Sequence, residues 1–248
     1  MINILGIGKS GLKSTQNKMD AISNDLANMN TIGYKRKEVN FQELIHNSIE
    51  GTEYSINAGT KSNVSTINFK QGEIVESPNM LHMAIEGDGF FGIRDEHGNL
   101  LLTRNGSFKI DGEFNIVDDN GYYLDASIIE PVEQWGKVDI DVKGEMYTNI
   151  DGNYQSVGKV ILYNPEILDS LTSIGEGKYL PAQNVTLYDS QLNDEGFGGI
   201  SQYALETSNV DITQSMAEMM TTQRAYSLNS KSIQTTDDIM SIINNIKR

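Results

Sequence analysis

The chain contains no cysteine. Disulfides, thiolate metal sites and cysteine nucleophiles are therefore excluded. Its 248 residues include only four prolines against 23 glycines, so its turns are built by glycine rather than by rigid proline corners. The three histidines, His46, His82 and His97, share no metal-ligand spacing and stand beside no nucleophile motif. No apolar run approaches the ~18 residues of a membrane-spanning helix. The start, MINILGIGKSGL, has neither a basic opening nor a long apolar core, so a conventional signal peptide is not expected. Positive charge is also scarce. Nineteen Lys and Arg against 34 Asp and Glu leave a net charge of −15, which argues against a nucleic-acid partner, because phosphate binding needs a basic face.

That charge is uneven. Residues 1–45 carry +2, residues 210–248 are neutral, and the residues between hold −17. Near-neutral ends and an acidic middle fit ends that pack together and a middle that faces water.

What the chain does have is a helical signature at each end. Residues 210–248 contain no Gly or Pro, and Ile212, Met219, Tyr226, Ile233 and Met240 recur every seven residues. Met216, Met220, Ile243 and Ile246 widen that stripe. A seven-residue apolar repeat on one helix requires a partner helix. The candidate partner is the helix expected over 3–28. There Leu12, Met19 and Leu26 are seven apart, and Thr15, Ile22 and Met29 form a second line offset by three. Asn28, Asn30 and Thr31 followed by Gly33 supply its stop. At the C-terminal helix, Ser208-x-x-Asp211 and Asp211-x-x-Gln214 both have the form of a capping box.

Between the ends the pattern changes. Residues 34–63 read as a polar connector, with Gly51 to Asn63 a flexible loop rich in Gly, Ser, Thr and Asn. From Val64 the apolar period becomes two, and turn dipeptides at 88–89, 105–106, 111–112, 120–121 and 151–152 mark hairpins. Strands are expected over 89–93, 100–103, 107–110, 114–117, 122–124, 138–142, 145–148, 154–157 and 159–163, with weaker ones at 178–180 and 186–188. A helical turn is expected over 165–174. The fold class is thus α+β: N- and C-terminal helices pair as a coiled-coil-like stalk, and a mainly antiparallel β region is inserted between them. The expected domains are 1–33 with 208–248, a connector over 34–63, and a β-rich domain over 64–207.

No stretch qualifies as a catalytic, cofactor-binding or metal site, and no cofactor is expected. Gly6-Ile7-Gly8-Lys9-Ser10-Gly11 matches GxGxxG, but only five residues precede it, too few for the strand that a dinucleotide fingerprint must follow. The acidic run from Asp111 to Gly121 fails calcium-loop spacing, which would place the first ligand at Ile116.

Four blocks, in order, resemble the flagellar basal-body rod and hook protein family. They are Ser10-Gly11-Leu12 through Ile22-Ser23-Asn24-Asp25-Leu26-Ala27-Asn28 to Gly33-Tyr34-Lys35-Arg36; Ala84-Ile85-Glu86-Gly87-Asp88-Gly89-Phe90-Phe91; Thr103-Arg104-Asn105-Gly106-Ser107-Phe108; and Leu205-Glu206-Thr207-Ser208-Asn209-Val210-Asp211 with Gln223-Arg224-Ala225-Tyr226 and Thr235-Thr236-Asp237. Asp25 stands where the family usually has a second Asn, Leu102 where it has Tyr, and His82-Met83 where it has an acidic-aliphatic pair. The length suits rod members, since hook members are usually longer by a further β domain. The distal-rod branch is the nearest comparison, partly on residues 138–180, and the proximal-rod branch is next.

The resemblance implies a non-enzymatic axial component. It would leave the cytoplasm through the flagellar type III export apparatus and polymerise helically with itself and with other rod and hook proteins. It would sit in the basal body, without inserting into a membrane. The expected assembly interface is Leu12, Met19, Ile22, Leu26, Ile212, Met216, Met219, Tyr226, Ile233, Met240 and Ile243. Asn24, Asn28, Gln223 and Arg224 are candidates for polar contacts that fix register. A hook-type axial member of the same family, or a secreted β-domain binding protein with borrowed helical ends, are the alternative readings.

Overall fold

The computed structural model describes residues 2–47, 55–129, 136–150, 153–182, 184–191 and 196–246. The chain forms two compact units. The first unites Met1–Ala27, Arg36–Asn68 and Val210–Arg248, and the second unites Asn28–Lys35 and Phe69–Asn209.

The first unit holds both long helices, α1 (Ile2–Ala27) and α2 (Ile212–Ile246). Asp211 begins α2: its Oδ1 accepts a hydrogen bond from the Gln214 amide at 3.0 Å, the N-cap half of the second expected capping box, while Gln214 Nε2 donates to Glu218 Oε1 at 2.9 Å. The helices run antiparallel, because Gly8 faces Ile233 while Gly11 faces Asn229. The approach is close. A Cβ placed on Gly8 would stand 2.9 Å from Ile233 Cγ1, and one on Gly11 would stand 3.1 Å from Asn229 Nδ2. Two of the three glycines of the GxGxxG run, Gly8 and Gly11, thus serve a helix crossing.

The segment expected as a connector is different. Residues 37–67 contain an antiparallel pair, β1 (Lys37–Asn47) and β2 (Ser55–Ile67), in register from Lys37↔Ile67 to Asn47↔Ser55 with two irregularities. The pair belongs to the same compact unit as the helices. It is tied to α1 where the Thr60 amide donates to Ser10 Oγ at 3.2 Å and Ser14 Oγ donates to the Thr60 carbonyl at 3.4 Å. Composition misleads here, because a strand that lies along a helix needs backbone partners and little apolar alternation of its own.

Among its described residues the second unit is β-rich with one 3-10 turn, and every strand pairing in it is antiparallel. Two small pairs use late and early strands: β3 (Ile74–Glu76) with β19 (Ala204–Glu206), and β4 (Met83–Glu86) with β18 (Gly199–Gln202). The largest sheet runs β15 (Thr172–Gly175), β16 (Lys178–Leu180), β6 (Leu100–Thr103), β5 (Phe90–Arg94), β9 (Tyr123–Leu124), β8 (Ile116–Val117) and β7 (Lys109–Ile110). In the same sheet β14 (Leu162–Pro165) bridges β5 to β17 (Leu187–Asp189). A four-stranded sheet orders β10 (Ala126–Ile128), β13 (Asn153–Val160), β12 (Glu145–Ile150) and β11 (Val138–Ile140).

One core joins these sheets. It includes Met83, Ile85, Phe91, Ile93, Phe108, Val138, Met146, Val157, Leu162 and Ile200, and the Phe91 and Phe108 rings meet edge to face at 5.4 Å. The α+β class and the strand positions follow the hydrophobic pattern. Two local expectations change. The helical turn over 165–174 shrinks to a 3-10 turn at Leu168–Ser170 followed by β15, and the strand expected over 114–117 shortens to β8 because Phe114 takes a left-handed φ of 63°. The turn dipeptide at 151–152 lies outside the described residues.

Candidate assembly surface

The helical unit presents two kinds of surface. The inner face of α2 is small and polar: its buried residues are Ser215, Thr222 and Thr236. Thr222 Oγ1 donates to the Glu218 carbonyl at 2.7 Å and Thr236 Oγ1 to the Ser232 carbonyl at 2.8 Å, so neither hydroxyl is buried without a partner. Burying small residues lets the backbones approach, and it leaves the large apolar side chains elsewhere on the helix. Met216 is 51% exposed and Met220 56%, and Ile212, Leu228, Ile239, Ile242, Ile243 and Ile246 are exposed with them. Exposed apolar surface of this kind is a candidate interaction surface.

The expected interface residues divide along this line. Ile22 is buried. Leu12, Met19, Leu26, Met219, Ile233 and Met240 are half-buried, and among them Ile233 reaches Gly8. Ile212, Met216, Tyr226 and Ile243 are exposed. Of the polar candidates, Asn24 is exposed and its Nδ2 donates to the Asp20 carbonyl within α1 at 2.9 Å, while Asn28 Oδ1 accepts from Thr31 Oγ1 at 3.2 Å. Gln223 and Arg224 are exposed on α2.

Charged residues outside the expected interface supply ties in this unit. Arg36 Nη2 donates to both oxygens of Glu218, at 2.8 and 2.7 Å, and its Nε lies 3.8 Å from Asp25 Oδ2. Asp25 is buried and its Oδ1 accepts from the Lys37 amide at 3.2 Å. Burial alone would raise the Glu218 carboxyl, but the hydrogen bonds from Arg36 and Gln214 outweigh it and hold the group below the usual glutamate value. The same carboxylates hold the Arg36 guanidinium above its ordinary value against the cost of burial.

In the β unit, three segments distant in sequence meet on Glu206. Its Oε1 accepts from Lys35 Nζ at 2.5 Å and from the Gly72 amide at 2.8 Å, and its Oε2 lies 3.4 Å from Arg104 Nη1. Lys35 Nζ also donates to the Lys70 carbonyl at 2.8 Å. Arg104 lies over the Phe90 ring at 5.0 Å. Burial pushes both Lys35 and Arg104 below their ordinary values, with Glu206 opposing the shift in each case. Gly33 closes the same region. It takes a left-handed φ of +67°, its amide donates to the Glu206 carbonyl at 2.8 Å, and a Cβ there would stand 2.5 Å from the Asn105 amide nitrogen. The available signal was in the motif blocks, since Lys35, Arg104 and Glu206 each sit in a different one.

A small opening is lined by Asp95, Glu96, His97, Asn120, Gly121 and Tyr122. The Asp95 carboxylate is engaged by the His97 and Asn99 amides and by Asn99 Nδ2. Among the described residues no group of three or more His, Asp or Glu could hold a metal ion, and no helix is long and apolar enough to cross a membrane.

Comparison with known proteins places these features in a family. Residues 5–35 match the model for the flagella basal body rod protein, residues 84–148 the flagellar hook protein FlgE/F/G D1 domain, and residues 201–246 the flagellar basal body rod FlgEFG protein C-terminal region. The chain is 32% identical to the flagellar basal-body rod protein FlgG of Borreliella burgdorferi, with both chains covered in full. It is 34% identical to the protein of that name from Buchnera aphidicola subsp. Schizaphis graminum, over 97% of this chain and 98% of the relative. The Bacillus subtilis protein of the same name is 29% identical, again over both full lengths. The chain belongs to the flagellar basal-body rod protein family.

Proposed function

We propose that this chain is a structural building block of the flagellar basal-body rod. It polymerises helically with copies of itself and with other rod and hook proteins, and the resulting shaft transmits torque. It performs no catalysis. It reaches the rod through the flagellar export apparatus, and the assembled subunits lie beyond the cytoplasmic membrane.

The observation that carries this reading is the exposed apolar stripe of α2, which persists although α1 already packs on that helix. In a helical polymer the contacts are heterologous, so each subunit needs apolar surface on more than one side. The proximity of relatives named as rod protein FlgG over full length favours the rod over the hook. The absence of cysteine fits a chain exported unfolded. Electron microscopy of purified hook–basal bodies carrying a tagged copy tests the placement. Label on the rod between the membrane ring and the hook is expected, and label confined to the hook or absent from the basal body would refute it.

A further inference from the structure

The chain has ten methionines, and the fold exposes them very unequally. Met83 and Met146 are sealed in the β core, at 1% and 0% exposure. Met19, Met29, Met80, Met219 and Met240 are half-buried. Among the described residues only Met216 and Met220 stand open to solvent. They lie one turn apart on α2, and with the exposed Ile212 they form a line at four-residue spacing.

In a chain without cysteine, methionine is the sulfur that a peroxide can oxidise. The peroxide transfers one oxygen to Sδ. Its O–O bond breaks, an S–O bond forms, the sulfur gives up two electrons, and the second oxygen leaves with both hydrogens as water. The sulfoxide is polar and chiral where the thioether was apolar and adaptable. In solvent, water satisfies the new oxygen. Against an apolar partner the same oxygen is buried without a donor, which is unfavourable.

We propose that Met216 and Met220 form a redox-modification site: in the unassembled subunit a peroxide converts them to sulfoxides, and the oxidised stripe of α2 no longer docks on a neighbouring copy. The selectivity follows from exposure alone, whereas the effect on docking rests on the polymerisation reading above. Assembly closes the site, because a stripe covered by a neighbour hides both thioethers. The change is reversible. Methionine sulfoxide reductases, one for each sulfoxide epimer, restore the thioether. Two thiols are oxidised to a disulfide as the oxygen leaves as water.

Hydrogen peroxide on the full-length, unassembled chain tests the site, with peptide mass spectrometry locating each added oxygen. Met216 and Met220 are expected to oxidise at least ~10-fold faster than Met83 and Met146, and ahead of the half-buried methionines. Oxidation in another order overturns the site. Sedimentation of the oxidised chain should show assembly reduced at least ~10-fold, with its helix signal retained and assembly regained after both reductases act. Met216→Leu with Met220→Leu should assemble to the same extent with and without peroxide, each sample judged against its own untreated control. Full assembly of the oxidised parent, loss of its helix signal, or equal peroxide sensitivity of the leucine variant overturns the effect on docking. Rapid oxidation of both residues in preformed polymer would instead refute the stripe as the polymer contact. If the untreated chain forms no polymer, the polymerisation reading fails and the effect on docking with it. The order of oxidation then still supports or overturns the site by itself.

Discussion

Lys35 and Glu206 form an ion pair at 2.5 Å with both side chains fully buried, although 171 positions separate them in the chain. The pair is completed by the Gly72 amide and by Arg104, so removing one partner leaves an unmatched charge in the interior. Breaking a buried pair in this way costs about 3–5 kcal/mol. Glu206→Gln is expected to lower stability by that order in guanidinium titrations of the full chain, and Lys35→Met by less, because Arg104 continues to neutralise the carboxylate. A double-mutant cycle should return a coupling of at least ~1 kcal/mol. Additive effects would show that the two residues act independently.

Gly6 and Gly8 occupy the same helix and predict opposite outcomes. Nothing lies within 4 Å of a Cβ on Gly6, so Gly6→Ala should stabilise the helical unit by about 0.5–1 kcal/mol through helix propensity alone. A Cβ on Gly8 meets Ile233 Cγ1 at 2.9 Å, and a larger side chain must push the helices apart. Gly8→Leu is expected to cost about 1–3 kcal/mol, the usual range for overpacking. Adding Ile233→Ala should recover part of that loss. Thermal unfolding followed at 222 nm (about the helix minimum) separates the cases.

The Arg36–Glu218 tie gives the helical unit an acid limit. Glu218 titrates below the ordinary glutamate value of 4.5, so the folded state binds its proton less readily than the unfolded chain. Where the unfolded state binds more protons, stability rises with pH. The contribution is therefore complete above 4.5 and is lost as pH falls below it through the folded value. Glu218→Gln should destabilise the chain at neutral pH, and its difference from the parent should shrink towards pH 3. A difference that stays constant with pH would show that Glu218 acts by packing alone.

Much of this architecture was legible in the sequence, for reasons that particular residues make plain. The heptad line from Ile212 to Met240 announced a helix with a partner, and the alternation around Phe90-Phe91 and Leu100 to Thr103 announced strands. The inner face of the helical pair was legible only in part, at Ile22 and Ile233. A search for apolar period selects Met216 and Ile243, which are exposed, while the crossing is made by Gly8 and Gly11 and α2 buries Ser215, Thr222 and Thr236. β1 and β2 were hidden because their polar composition imitates a loop. The cluster around Glu206 was hidden because a charge in sequence reads as solvated, and its burial depends on Lys35 and Arg104 arriving from distant segments. Asp25 shows the same effect: the departure from the family's Asn places a carboxylate beside Arg36.

The exposed stripe of α2 should separate assembly from folding. Met216 and Met220 are one turn apart, and each has about half of its surface in solvent. Glu has a helix propensity close to that of Met, and exposed substitutions usually change stability by no more than about 0.5 kcal/mol. Met216→Glu with Met220→Glu should therefore leave the melting temperature nearly unchanged while abolishing polymerisation, since each partner helix would have to bury two carboxylates. Ile22→Glu makes the contrast. Ile22 is 4% exposed, so the same charge there should unfold the helical unit itself by several kcal/mol. Sedimentation and thermal melts on the same samples read both quantities. If the double Met variant polymerised like the parent, the stripe would be ordinary solvated surface and the interface would have to lie elsewhere on the helices.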